Sequence, residues 1–297
     1  PLCFFNLCSR SKARMKDPEE IRLELYGFEV SALCWGPEDG RPMLALHGWL
    51  DNAASFETIA PHIDGYRIVA IDFPGHGKSD WRKDAGYYHF ADWILDAFAC
   101  ADALGWEEFT LMGHSMGAGV ASLMAGTLPQ RIENLICLEG FGPLATPAEK
   151  APEQLASAIE AMRKAKGKLP MVYKDRSMAL ERRIKAAGIL HDSSARTLIA
   201  RGMRDVADGV SFRFDPRLRL KSLHRFTEEQ VLAFLSAIEC PTLLVRANQG
   251  WPFDLEMMRA RVQVLSNMKL EYLDGGHHVH MDEAEKVAHI VNNFLSA

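Results

Sequence analysis

Short apolar runs alternate with longer helical patterns along most of this chain, and that alternation leaves few folds open. The apolar runs are Pro42–Leu46, Arg67–Ile71, Phe109–Met112, Leu135–Leu138, Thr242–Arg246 and Leu270–Leu273. The helical patterns include Phe90–Leu104, Met116–Leu128, Asp254–Leu265 and Glu283–Leu295. Near-continuous apolar strands belong to parallel sheets covered on both faces. Ahead of them, Ile21–Tyr26 and Glu29–Trp35 alternate polar with apolar around Gly27, which reads as a hairpin at a sheet edge. The expected fold is therefore α/β: a mostly parallel, twisted sheet of about eight strands with helices on both faces. A chain of 297 residues can bury such a core without covalent staples.

The alternation stops between residues 141 and 238. Helical stretches are expected at Pro152–Ala165, Asp175–Leu190, Ser194–Ala207 and Thr227–Ala237, with an irregular piece at Phe212–His224. About a hundred residues between two sheet strands are too many for a loop. The segment leaves the carboxyl end of a strand, where open α/β sheets place their ligands. It is read as an inserted helical lid, residues 141–238, on a core made of 15–140 and 239–297. Residues 1–14 run from apolar to basic, the reverse of a signal peptide, and are read as a leader or cloning-derived segment.

Gly113-His114-Ser115-Met116-Gly117 lies between an apolar strand and a helix of small residues. That is the setting of a nucleophile elbow, a tight turn that lifts a serine oxygen above the sheet. Side chains at the flanking glycines would collide with the neighbouring strand and helix.

With this motif the chain resembles the α/β-hydrolase superfamily, over nearly all of Ile21 to Leu295. His47-Gly48-Trp49, the loop Asp72-Phe73-Pro74-Gly75-His76-Gly77-Lys78-Ser79-Asp80 and Gly276-His277-His278-Val279-His280 agree with it in order and spacing. The stretch 47–52 and the segment 226–244 look most like the serine hydrolase-like branch and its esterase relatives. The resemblance implies an oxyanion hole from the N–H groups of Met116 and Trp49, and a base on the loop after the last strand. It selects His277, with His278 and His280 as rivals, and leaves His47 to brace its loop. Asp51 and Asn52 are expected to cap a helix or fix that loop. Trp49, His114, Phe141 and Trp251 flank these motifs and are expected to meet the substrate.

The acid departs from the usual pattern. The turn after Thr242–Arg246 reads Ala247-Asn248-Gln249-Gly250-Trp251-Pro252, with no carboxylate. Two candidates remain. Glu139 ends the preceding strand, where a buried carboxylate needs a partner such as an imidazolium. Asp254 is the next carboxylate after the turn.

The expected activity is hydrolysis of carboxylic esters of small to medium apolar acyl groups through an acyl-enzyme, without cofactor or metal. A C–C bond hydrolase, an amidase and a cofactor-free perhydrolase of haloperoxidase type use the same three groups. A ligand receptor on the same fold is the reading from another class. A serine at position 115 excludes chemistry that needs an aspartate nucleophile. The net charge is −5 and no Lys/Arg run suggests nucleic-acid binding. Arg182, Arg183, Lys185, Arg217 and Arg219 are expected on a solvated surface. Six scattered cysteines without a C-x-x-C pair suit a reducing, cytoplasmic setting. No apolar stretch is long enough to span a membrane.

Overall fold

The computed structural model describes residues 17–83, 87–165 and 170–297; the segment 1–14 read as a leader lies outside them. Its strands are β1 (Glu19–Leu25), β2 (Phe28–Trp35), β3 (Arg41–Leu46), β4 (Tyr66–Ile71), β5 (Phe109–His114), β6 (Ile132–Leu138), β7 (Val172–Tyr173), β8 (Met203–Val206), β9 (Gly209–Phe212), β10 (Thr242–Ala247) and β11 (Met268–Leu273). Its helices are α1 (Phe90–Ala103), α2 (Met116–Thr127), α3 (Ala151–Ala165), α4 (Arg176–Ala187), α5 (Asp192–Gly202), α6 (Glu228–Ser236), α7 (Leu255–Gln263), α8 (Val279–Asp282) and α9 (Ala284–Leu295). None of them is long and apolar enough to cross a membrane.

The main sheet has eight strands in the order β1-β2-β4-β3-β5-β6-β10-β11. Only β2 runs against its neighbours, β1 and β4; the other pairings are parallel. The β1–β2 hairpin turns at Tyr26 and Gly27, both with positive φ, as a two-residue turn of this hand requires. One face of the sheet packs on Trp93, Phe98, Val120, Met124, Val231 and Met258, and the other on Phe56, Ile59, Val287 and Val291. The strand order reverses at β3, which lies between β4 and β5, so the crevice at the carboxyl ends of β3 and β5 is where this class of sheet takes ligands.

The inserted segment is not all helix. The helix expected at Ser194–Ala207 stops at Gly202, and the chain continues as β8, a two-residue turn and β9. With β7 these form a separate three-stranded sheet in the order β7-β9-β8. Ala207-Asp208 supplies the turn, Gly209 opens β9 with φ 140°, and Val210 is buried on a local core with Leu180, Leu198, Ile199 and Met203. A strand pairing therefore captured residues whose apolar spacing also fits a helix.

Two arginines of the insertion are tied to the main unit. Arg201 of α5 pairs with the fully buried Asp72 (Nη2–Oδ2 2.8 Å) and reaches Glu20 and the Ser31 hydroxyl. Arg183 of α4 pairs with the buried Asp51. Arg217 is likewise engaged, with Asp215, while Arg182, Lys185 and Arg219 are exposed. The solvated surface expected for these five thus fails at Arg183 and Arg217, because buried carboxylates, Asp51 across the fold and Asp215 two residues back on the same turn, claim their guanidinium groups.

Candidate active site

Ser115 follows β5 directly, with φ 52° and ψ −114°. A side chain at that φ is strained, and the turn holds only because its surroundings fix it. The Ser115 N–H donates to the Leu138 carbonyl, 2.9 Å away. A Cβ on Gly117 would run into the Leu46 carbonyl oxygen of β3, so only glycine lets α2 start this close to the sheet. The hydroxyl left above the strand ends donates to His277 Nε2 at 2.8 Å.

His277 lies four residues beyond β11, and its Nδ1–H donates to Glu139 Oε2 at 3.0 Å. Glu139 follows β6 directly, with φ 56° and no exposed surface. Its Oε2 also accepts from the Trp251 N–H (2.9 Å), and its Oε1 from the Ala247 N–H (2.6 Å) and Arg246 Nε (3.0 Å). Burial pushes this carboxyl up, but the bond from His277, the two backbone donors and the Arg246 charge outweigh it, and the net direction is down. For His277, burial lowers the pKa more than the Glu139 bond raises it. The imidazole is thus held neutral, able to accept a proton.

The glycine in the turn after β10 now has a reason. A Cβ on Gly250 would fall on the Glu139 carboxylate itself. The volume beside His277 that a carboxylate from this turn would use is filled by one from the preceding strand. Asp254 is engaged elsewhere: it caps α7, accepting from the Met257 N–H at 2.8 Å.

A second layer of histidines packs beneath His277. His114 donates from Nε2 to the His277 carbonyl at 2.8 Å, and its ring centroid lies 4.1 Å from that of His280. His280 bonds the Ser55 hydroxyl (2.8 Å), and His278 bonds Asp51 (3.2 Å). Burial pushes His278 down to about 4 and His280 well below its ordinary value. Asp51, His114 and His278 bring ligand-type atoms within 4.8 Å of one another, and the Arg183 guanidinium already supplies the positive charge there. His47 braces the neighbouring loops, donating from Nδ1 to the Gly48 carbonyl (2.7 Å) and accepting the Phe73 N–H at Nε2 (3.0 Å). Asn52 caps the turn after it, accepting from the Ala54 N–H.

The residues expected to meet a substrate divide into two groups. His114 and Phe141 are 1% and 0% exposed, so neither offers a surface: the first is held in the histidine layer, the second in the core beside α2. Trp49 and Trp251 are both about half exposed. The Trp251 ring lies 5.6 Å from that of His277, and the Trp49 indole donates to the Leu218 carbonyl at 3.1 Å. Met116 begins α2 immediately after the serine. Sequence reasoning did not single out Arg246, whose strand position alone says nothing of its partner, nor the pairing of Asp51 with Arg183.

A profile of the alpha/beta hydrolase fold matches residues 41–175. A serine hydrolase-like protein of Dictyostelium discoideum is 31% identical over 93% of this chain and 81% of its own length. One of Danio rerio is 32% identical over 93% of this chain and 88% of its own. The crystal structure of a hypothetical protein from Pseudomonas aeruginosa PAO1 superposes with a TM-score of 0.90 at 42% identity, covering 94% of this chain and 100% of that one.

Proposed function

The chain belongs to the serine hydrolase-like proteins of the α/β-hydrolase fold, and on that premise we propose that it cleaves carboxylic esters of small to medium apolar acyl groups through an acyl-enzyme. The observation that carries this reading is the continuous hydrogen-bonded line from Ser115 Oγ through His277 to Glu139. Ser115 attacks the acyl carbonyl while His277 Nε2 takes its proton. Glu139 holds the ring by Nδ1 and stabilises the imidazolium that forms. The N–H groups of Met116 and Trp49 receive the charge on the carbonyl oxygen, a contribution of about 10²–10³ in rate per donor. His277 returns its proton to the leaving alcohol and then activates water to release the acid.

Residues 141–238 serve as the lid over these groups. Ile189, within the α4–α5 connection, packs against Gly276 beside the base, and a Cβ on that glycine would lie 2.6 Å from it. Ile189, Trp251 and Trp49 are large apolar side chains left half exposed around the proposed nucleophile and base, which supports an apolar acyl group.

The test is a fluorophosphonate probe together with p-nitrophenyl esters of increasing chain length, run beside amide and haloalkane controls. Rapid labelling that disappears in Ser115→Ala, with turnover of esters only, is expected. Turnover of amides or haloalkanes in preference to esters, or labelling that survives Ser115→Ala, overturns the reading. Slow labelling with no turnover would favour a ligand receptor.

A further inference from the structure

Arg246 is the one cation bonded to Glu139 among the described residues besides what His277 becomes on taking a proton. Its Nε donates to Oε1 at 3.0 Å, and its Nη2 donates to the Trp251 carbonyl at 3.3 Å. The guanidinium lies over the Phe253 ring, 4.6 Å from its centroid, and the side chain is 12% exposed. The Trp251 N–H returns to Glu139 Oε2. Arg246 therefore closes a ring of contacts from β10 to the carboxylate, to the 248–253 loop and back.

We propose that Arg246 is a positioning residue of this hydrolase: it gives the Glu139 carboxylate a permanent cationic partner and pins the Trp251 loop to it. The inference rests on the assignment of Ser115, His277 and Glu139 above. Its physical content is a charge count. At rest, His277 is neutral and Glu139 is a buried anion. With Arg246 in place the pair sums to zero, so nothing forces a proton onto His277. Without it, the lone buried anion draws a proton to its neighbour, and the base is occupied over much of the range in which it should be free. Other titratable groups face His277 as well: the His114 ring from β5, the His278 ring from its own loop and Asp51 from the loop after β3, while Arg183 of α4 stands behind them against His278. Only Arg246 bonds the same carboxylate that His277 bonds.

The test is the pH dependence of two rates in wild type, Arg246→Gln and Arg246→Lys: kcat/KM for a p-nitrophenyl ester, and fluorophosphonate labelling of Ser115. In Arg246→Gln the acidic limb of both profiles is expected to move up by about one pH unit, with the plateau lowered about tenfold. In Arg246→Lys the limb stays within about 0.3 of wild type, because the charge is kept, while the plateau falls as the bond to Trp251 is lost. A merely structural arginine would lower the plateau in both variants and leave both limbs in place. An unmoved limb in Arg246→Gln, or an equal shift in Arg246→Lys, overturns the proposal. If Gln at 246 prevents folding by circular dichroism, Arg246→Met is read instead. Met also removes the charge, so the limb should move in the same direction, and an unmoved limb overturns the proposal there too. Failure of the underlying assignment looks different: Ser115→Ala would keep its labelling, whatever happens at position 246.

Discussion

At the scale of single residues, Glu139 and Gly250 explain each other. One carboxylate fits beside His277, and it comes from the end of β6 through the space that Gly250 leaves empty. Glu139→Gln is expected to lower ester kcat by about 10²–10⁴, since the amide keeps the shape but not the charge that holds the imidazolium. Asp254→Asn should leave kcat within about twofold, because asparagine caps a helix as well as aspartate does. A kinetic comparison of the two variants checks this, and the reverse ranking would move the acid to Asp254. His277→Ala should lose nearly all turnover, with most of it retained in His278→Ala, if that variant folds. The missing carboxylate in the 247–252 turn made Glu139 legible as a candidate, because a chemistry that needs an acid must find it elsewhere. Arg246 was illegible for the opposite reason. Its partner is set by the pairing of Val245 with Leu138 across two strands, which no local pattern encodes.

At the scale of elements, the strands of the main sheet could be read by two patterns: β3, β4, β5, β6 and β10 are compact apolar runs buried on both faces, with β11 a half-buried run at the edge, and β1 and β2 alternate polar with apolar. The insertion was harder. Met203–Ala207 carries apolar spacing compatible with the end of a helix, and the Ala207-Asp208 turn decided otherwise, with Gly209 opening β9 and β7 offering an edge to pair with. The way the insertion is held was also hidden, because it depends on ion pairs between distant segments. Arg201 is 6% exposed at its side chain and Asp72 is fully buried. Removing one partner strands the other charge in a dry site, so Arg201→Met should destabilise the fold by about 3–5 kcal/mol. Urea denaturation measures this, and a loss below about 1 kcal/mol would mean that the backbone N–H groups of Ala53 and Lys78 hold the Asp72 carboxylate without it.

At the scale of the whole molecule, buried histidines govern how the fold meets acid. Burial takes His47 and His278 down to about 4 and His76 to about 3, with His280 also well below its ordinary 6.5. The unfolded chain binds protons at these rings below about pH 6.5, and the folded chain does not until about pH 4. Stability should therefore be full above about 6.5 and fall steadily as the pH drops toward 4. Asp96, raised by burial to about 6 despite Arg82, and Glu57, also raised by burial, pull the other way, but as two groups against these four and His277. Calorimetric Tm values at about pH 7.5, 6 and 5 should fall in that order, and a flat series would contradict the burial of these rings.

The two arginine anchors of the insertion bear on any attempt to recombine this protein with its relatives. A corresponding segment transplanted from a relative would arrive against Asp51 and Asp72, two buried carboxylates. Unless the donor segment carries basic side chains at matching places, the chimera inherits two orphan anions next to its chemistry. Exchanging this segment is thus constrained first by charge pairing at the seam, and only afterwards by fit of shape.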